Sequence, residues 1–202
     1  TVGITQPWNA TASSVLSDSS SGSSDNFAYE LQASYAWTGD FAGKAWVGGF
    51  SQDVSGIGGV NNKSTTADSF EAGISANVMN IGLVAYAYSG EGVGTSGMLR
   101  DGFDAESKAR DSDGGYVQAT YVIPMGTKLG VSYGISKLDD NTADANKNLV
   151  KENNRLTVGA YHPLTKHLNL VAEYSAVESE SHLSTQGDAK QDIFSVGAIL
   201  FF

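Results

Sequence analysis

The last eleven residues, 192–202, place the strongest constraint on what this chain can fold into. Their even positions form one apolar row on a single face of a strand: Phe194, Val196, Ala198, Leu200 and Phe202. A soluble protein rarely leaves such a strand at an open sheet edge, because an unpaired hydrophobic edge promotes aggregation. The row is explained if the strand is paired on both sides in a closed barrel and its apolar face contacts lipid.

The composition is compatible with a β-barrel in a membrane and argues against a helical membrane protein. Of the 202 residues 41% are hydrophobic, and the longest apolar stretch is 81–88. A spanning helix needs about 20 apolar residues, whereas a spanning strand needs about 9–11 residues, half of them apolar. The absence of cysteine excludes disulfides and thiolate metal sites. A net charge of −10 argues against nucleic-acid binding.

Alternation of apolar and polar residues recurs in segments of strand length. In residues 27–37 the odd positions are aromatic or aliphatic and the even positions are small or polar. The same pattern is found in four further segments: 70–78, 129–135, 156–160 and 168–174. It is less regular in three others (41–52, 81–89 and 116–123), and a weak strand is expected within 1–8. We therefore predict an all-β fold with nine or ten strands.

The connections between these segments alternate in length. Short turns are predicted at 38–40, 79–80, 124–127 and 164–166. Long polar connections are predicted at 10–24, 53–67, 90–113, 138–152 and 179–191. Outer-membrane barrels have short periplasmic turns and long extracellular loops. The rhythm predicts a transmembrane antiparallel β-barrel with every short turn on the periplasmic side.

The polar rows of the predicted strands are the candidate pore lining. They comprise Glu30, Gln32, Glu71, Asn77, Gln118, Arg155, Asn169 and Glu173. Three of these are carboxylates and one is cationic, with the face of Lys44 undecided, so we expect a mild cation preference. Aromatic residues near strand ends are expected to form interfacial girdles: Tyr29, Tyr35, Trp37, Tyr88, Tyr121 and Tyr174. A soluble β-sandwich would show the same alternation, so the terminal strand and the loop rhythm carry the decision.

Other motifs give weak signals for chemistry. Residues 92–97 match GxGxxG, but a dinucleotide site also needs a following helix in a βαβ unit, so we expect a flexible loop. His162 and His167 flank one short turn and lack a third ligand, so we expect interfacial residues and no metal site. The acidic run 139–144 lacks the calcium-loop glycine and distal glutamate. No cofactor and no metal are predicted.

Several segments, taken in order, resemble the Gram-negative general porins, as does the terminal phenylalanine. These segments are 102–105 leading to 110–121, then 128–134, 157–162 with 164–166, 170–174 and 197–202, within a resemblance that covers about 25–202. The resemblance implies a sixteen-stranded, usually trimeric barrel in the outer membrane. Such a barrel contacts lipid and lipopolysaccharide and passes small hydrophilic solutes and ions by diffusion.

The visible strands are fewer than sixteen, which leaves two interpretations of residues 1–202 as a single barrel domain. The chain is either the C-terminal portion of a larger porin barrel or a smaller ten-stranded barrel. We favour the former because 1–8 is a poor closing strand, and no signal peptide is visible at its start, which indicates a mature form or a fragment. In the former case the constriction loop would lie upstream, and no constriction residue can be assigned.

Two other classes remain open. Small outer-membrane barrels include proteases and lipases, for which His182 with Glu178, Glu180 and Asp188 is the candidate grouping. This grouping has no fixed base–acid spacing and no G-x-S-x-G motif, so we do not expect an enzyme. An adhesin or binding module without an open pore is the third class.

Overall fold

A computed structural model describes residues 1–8, 10–11, 21–22, 26–55, 64–95, 99–104, 106–142 and 148–202. Its strands are β1 (Val2–Thr5), β2 (Ala10–Thr11), β3 (Ser21–Gly22), β4 (Ala28–Trp37), β5 (Phe41–Ser55), β6 (Ser64–Val78), β7 (Ile81–Glu91), β8 (Asp111–Val122), β9 (Lys128–Leu138), β10 (Val150–Pro163), β11 (Leu168–Ser181) and β12 (Ala189–Leu200). In the part of the chain described, no helix is both long enough and apolar enough to cross a membrane.

Within the described residues, ten strands form one antiparallel sheet in the order β1-β4-β5-β6-β7-β8-β9-β10-β11-β12, and β2 pairs with β3. Each strand from β4 onward pairs with the next strand in the chain, so this part of the sheet is a continuous meander. The prediction of nine or ten strands is confirmed. β1 and β12 lie at opposite edges and do not pair with each other, so the closed ten-stranded barrel is not observed.

The short turns are confirmed where the sequence indicated them, at residues 38–40, 79–80, 123–127 and 164–167. Four of the five long connections are shorter than predicted, because the strands continue past the alternating segments at that end. The exception is the stretch predicted at 10–24, since β1 ends at Thr5, β4 begins at Ala28 and the short strands β2 and β3 lie between them. β6 begins at Ser64 and β11 ends at Ser181. Small polar residues at these strand ends show no alternation with apolar residues, although the backbone pairing between strands continues there. The acidic run 139–144 lies only partly within the described residues.

One face of the sheet carries the predicted apolar rows. In β12 the side chains of Phe194, Val196 and Leu200 are 73%, 73% and 64% exposed, and Phe194 pairs with Tyr174. Tyr35, Trp37 and Phe41 stack in sequence beside a short turn, with ring centroids 6.3 and 6.1 Å apart. Large apolar side chains exposed along paired strands are what a lipid-facing surface requires. We refer to this as the apolar face and to the opposite one as the polar face.

Candidate functional site

The strand registers bring the eight candidate pore residues onto the polar face. Gln32 pairs with Gly48, Gly48 with Glu71, and the same ladder continues through Tyr88 to Gly114. Directly opposed residues of paired strands point to the same face of the sheet, and every second residue along a strand returns to that face. These pairs therefore decide whether the odd or the even positions of each strand lie on the polar face. On that basis Glu30, Gln32, Glu71, Asn77, Gln118, Arg155, Asn169 and Glu173 share one face.

One expected girdle residue is on the wrong face. Tyr88 pairs with Glu71 and Gly114 on the polar face, so it does not belong to an interfacial girdle. Its hydroxyl lies 2.9 Å from the Ser136 hydroxyl, which belongs to the same face. The apolar residues Ile81 and Leu83 at odd positions of β7 already imply this orientation for an even position.

Neighbouring side chains hold the charged groups of the polar face in position. Glu71 accepts hydrogen bonds from the Tyr86 hydroxyl at 2.7 Å and from Gln32 Nε2 at 3.3 Å. The Tyr161 hydroxyl donates to Glu173. Fixed partners reduce the number of conformations available to each charge, so the electrostatic surface of this face is well defined.

Two further cations lie on this face: Lys44, which the sequence left undecided, and Lys128, which it missed. Lys44 pairs with Ala36 and Ser75, and its ammonium lies 5.9 Å from the centre of the Trp46 ring. Lys128 pairs with Tyr161. In the paired positions of the described strands, the polar face therefore carries three carboxylates (Glu30, Glu71, Glu173) and three cations (Lys44, Lys128, Arg155). The cation preference was expected because carboxylates outnumbered cations among the candidate pore-lining residues, and that excess of acidic residues was wrong.

The connection between β7 and β8, residues 92–110, folds onto the polar face. Its apolar residues Val93, Leu99 and Phe103 form a buried cluster with Val54 of β5 and Ala67 of β6. On the other side, the Ser136 hydroxyl of β9 donates to the carbonyl of Thr95. We refer to residues 92–110 as the inward loop, because it occupies space beside the polar face. The sequence did not predict a connection packed against this face.

A buried arginine organises the inward loop. Arg110 is 1% exposed, and its Nη1 donates to the carbonyls of Asp101 and Phe103, both at 2.6 Å. Its backbone N–H donates to Gly102 at 2.8 Å, and its carbonyl accepts from Gly92 at 2.9 Å. One side chain and its own peptide groups thus tie both ends of the loop together.

The glycines of the GxGxxG match have a structural role. Gly92 and Gly94 have φ values of 73° and 77°, which favour glycine. A Cβ at Gly94 would lie 1.9 Å from the Arg100 carbonyl oxygen. Gly97 lies outside the described residues. The expectation of a flexible loop is wrong for the described part, which is buried and closely packed.

The histidines and the candidate enzyme grouping have separate partners. His162 Nδ1 lies 2.9 Å from the Thr127 hydroxyl and His167 Nδ1 lies 3.1 Å from the Phe201 carbonyl oxygen. His182 contacts the Leu138 carbonyl oxygen at 2.6 Å and Asp140 at 3.7 Å. Glu178 forms an ion pair with Lys190, and Glu180 forms one with Lys151. No set of three metal-ligating residues is found among the described residues.

An aromatic–glycine contact on the polar face gives a stability prediction. A Cβ at Gly73 would lie 2.1 Å from the Trp46 ring. Gly73→Ala therefore requires the indole ring to move from its position over Gly73. We expect destabilisation of about 1–3 kcal/mol, the usual cost of overpacking. The measurement is the urea midpoint of the folded protein in detergent. Gly130→Ala is the matched control, since its nearest neighbour would be 3.6 Å away. Equal midpoints for the two variants would contradict the prediction.

An antiparallel sheet with one apolar face, one polar face and alternating short and long connections is the architecture of outer-membrane β-barrels. The fold is similar to the crystal structure of the outer membrane channel DcaP of Acinetobacter baumannii, with a TM-score of 0.75 and 15% sequence identity. The match covers 99% of this chain and 61% of that channel, so the chain spans less than two thirds of its length. No family model and no curated protein matches the sequence.

Proposed function

We propose that this chain forms part of the wall of an outer-membrane diffusion channel, a porin-like barrel that passes small hydrophilic solutes and ions down their gradients. The observation that carries the proposal is a ten-stranded sheet, within the described residues, with lipid-compatible side chains on one face and charged side chains on the other. A polar face cannot form a dry core, so a closed sheet of this kind encloses water.

The proposed channel is larger than this sheet. Backbone groups at a free strand edge have no hydrogen-bonding partners in lipid, so β1 and β12 need further strands beside them. Residues 1–202 are therefore proposed as a single-domain C-terminal portion of a larger barrel, in keeping with their 61% coverage of the similar channel. The proposed surroundings are outer-membrane lipid and lipopolysaccharide, and the proposed assembly is a homotrimer.

The eight polar-face residues named from the sequence are proposed to line the pore, and the inward loop is proposed to narrow it. Permeation through such a pore needs no cofactor and no reaction. It depends on width, on hydration and on the charges near the narrowest point. Glu30 and Glu71 lie beside the inward loop, whereas Lys44 and Lys128 follow short turns at the other end of their strands. We propose that this local arrangement, and not the balance of the whole wall, gives a mild cation preference.

Glu71→Gln and Glu173→Gln test the cation preference. Each replaces a negatively charged carboxylate by a neutral amide of similar shape. The reversal potential under a salt gradient is expected to move toward zero at low ionic strength, with a larger shift for Glu71→Gln because it lies beside the loop. The measurement uses natively purified protein in planar bilayers. An unchanged reversal potential in both variants would exclude these side chains from the conducting path.

Single-channel recording tests the function itself. Stepwise, long-lived openings support a porin, and steps in groups of three support a trimer. Heat-modifiable migration on a gel together with extraction only by detergent supports a membrane barrel. A protein that folds in this way and never conducts would overturn the open-channel proposal.

A further inference from the structure

The inward loop covers a cavity of about 680 Å³ on the polar face. Its floor is formed by β4 to β7, and the loop contributes Val93, Thr95 and Leu99 to the lining. The volume lies within the range of about 300–1,000 Å³ that small-molecule sites occupy. This cavity is separate from the second hollow on the same face, about 560 Å³, which lies near the short turns and includes Asn77, Gln118 and Asn169.

Aromatic rings stand on both sides of a carboxylate in this cavity. Glu71 is on β6, between Phe50 on β5 and Tyr88 on β7, and all three line the cavity. The Trp8 ring lies 6.0 Å from Phe50, and the Tyr86 ring lies 6.3 Å from Tyr88. Ring faces of this kind attract cations within about 6 Å of their centres.

Hydrogen bonds position the Trp8 backbone and the Glu71 carboxylate. Gln52 is 1% exposed. Its Oε1 accepts a hydrogen bond from the backbone N–H of Trp8 at 2.9 Å, and its Nε2 donates one to the backbone carbonyl of Trp8 at 2.6 Å. Tyr86 and Gln32 donate to the two different oxygens of Glu71. Both donors are neutral, so they orient the carboxylate without cancelling its charge.

The lining carries negative charge from two side chains, Glu30 and Glu71, and no lysine or arginine side chain. Thr1 also lines the cavity, and its backbone nitrogen donates to the Gln32 carbonyl at 2.7 Å. An inorganic cation would use the carboxylates and the ring faces but would gain nothing from the aliphatic side chains of Val93 and Leu99. An anion would be repelled. The occupant that uses both features has a protonated amine and an aromatic or aliphatic body.

We propose that this cavity is a binding subsite for organic cations, in which the amine meets Glu71 and Glu30 and the apolar body lies between the aromatic rings. The subsite rests on the proposed channel function, because it would lie in the path of solutes that pass the inward loop. It adds a solute class to that function. Small amines should therefore occupy the pore more strongly than neutral or anionic molecules of the same size.

The first experiment measures binding directly, independently of conduction. Tryptophan fluorescence of the natively purified protein in detergent is titrated with benzylammonium, and with benzyl alcohol and benzoate as probes of the same ring without the positive charge. We expect saturable quenching with benzylammonium alone. Glu71→Gln should weaken its affinity by at least about tenfold, since the negative charge opposite the ammonium is lost and only a neutral oxygen acceptor remains. Trp8→Phe should remove most of the signal change.

Glu173→Gln is the matched control, because Glu173 is a carboxylate of the same face that does not line this cavity. It should leave benzylammonium affinity unchanged. Equal affinity for benzylammonium and benzyl alcohol, or an equal loss in both glutamate variants, would overturn the subsite.

A second experiment separates this inference from the channel proposal. In planar bilayers, millimolar benzylammonium is expected to interrupt the potassium current more than benzyl alcohol does. Normal conduction without selective interruption would reject the subsite and leave the channel intact. Absence of conduction with selective quenching would reject the channel and leave the binding site.

Discussion

Replacing residues 93–109 by a short glycine–serine linker is expected to raise single-channel conductance severalfold. The inward loop packs against β5, β6 and β9 on the polar face. In the proposed channel it occupies space that water and ions would otherwise fill. Ionic current through a wide water-filled pore depends on its narrowest cross-section. Conductance in planar bilayers is the measurement, with heat-modifiable migration to verify folding.

The matched control shortens the connection between β11 and β12, residues 182–188, which joins neighbouring strands at the same end of the sheet. That deletion should leave conductance close to the natural value. If removing the inward loop changes nothing in a folded protein, the loop does not limit conduction. If both deletions raise conductance equally, the effect does not depend on the contacts described for the inward loop.

Arg110→Met is expected to release the inward loop without unfolding the sheet. The substitution keeps much of the apolar stem but leaves the carbonyls of Asp101 and Phe103 without the donor at 2.6 Å. Each hydrogen bond from a charged donor is worth about 1.5–3 kcal/mol. Leu99 and Asp101 also have φ values of 57°, an unfavourable conformation for both residues that surrounding contacts must maintain.

The measurement is limited proteolysis of the folded protein with chymotrypsin, which is insensitive to the loss of an arginine. Cleavage within the loop should become at least about tenfold faster, the equivalent of 1.4 kcal/mol in the opening equilibrium. Arg100→Met is the control, because the Arg100 side chain is 59% exposed and lies 3.9 Å from Asp101. Similar cleavage rates in the two variants would mean that Arg110 does not hold the loop.

The sheet could be predicted from the sequence because its signal is local. Residues 27–37 and 70–78 alternate strictly, and each short turn interrupts the alternation at the point where the chain reverses. Strand ends were less predictable. The small polar residues from Ser64 to Thr66 have no apolar period, yet they pair with 53–55 because the β5 backbone extends the ladder beside them.

The site was only partly predictable, because its decisive contacts are between residues distant in sequence. Parity along each strand placed Glu30, Glu71 and Arg155 on one face, and the same parity would have placed Tyr88 there. The inward loop depends on Val93, Leu99 and Phe103 meeting β5 and β6, and nothing in the local sequence specifies that contact. The large apolar residues of this connection were the available signal. Lys44 was undecided because glycines around it weaken the alternation of its segment.

The packing of the inward loop also has an evolutionary consequence. The hydrogen bonds that hold the sheet together belong to the paired strands, whereas the occupied space beside the polar face depends on one connection between β7 and β8. Insertions, deletions and substitutions in a connection leave the register of the strands intact. In the proposed channel, changes in this one loop would therefore alter which molecules pass, while selection on membrane insertion and on folding keeps the strands constant.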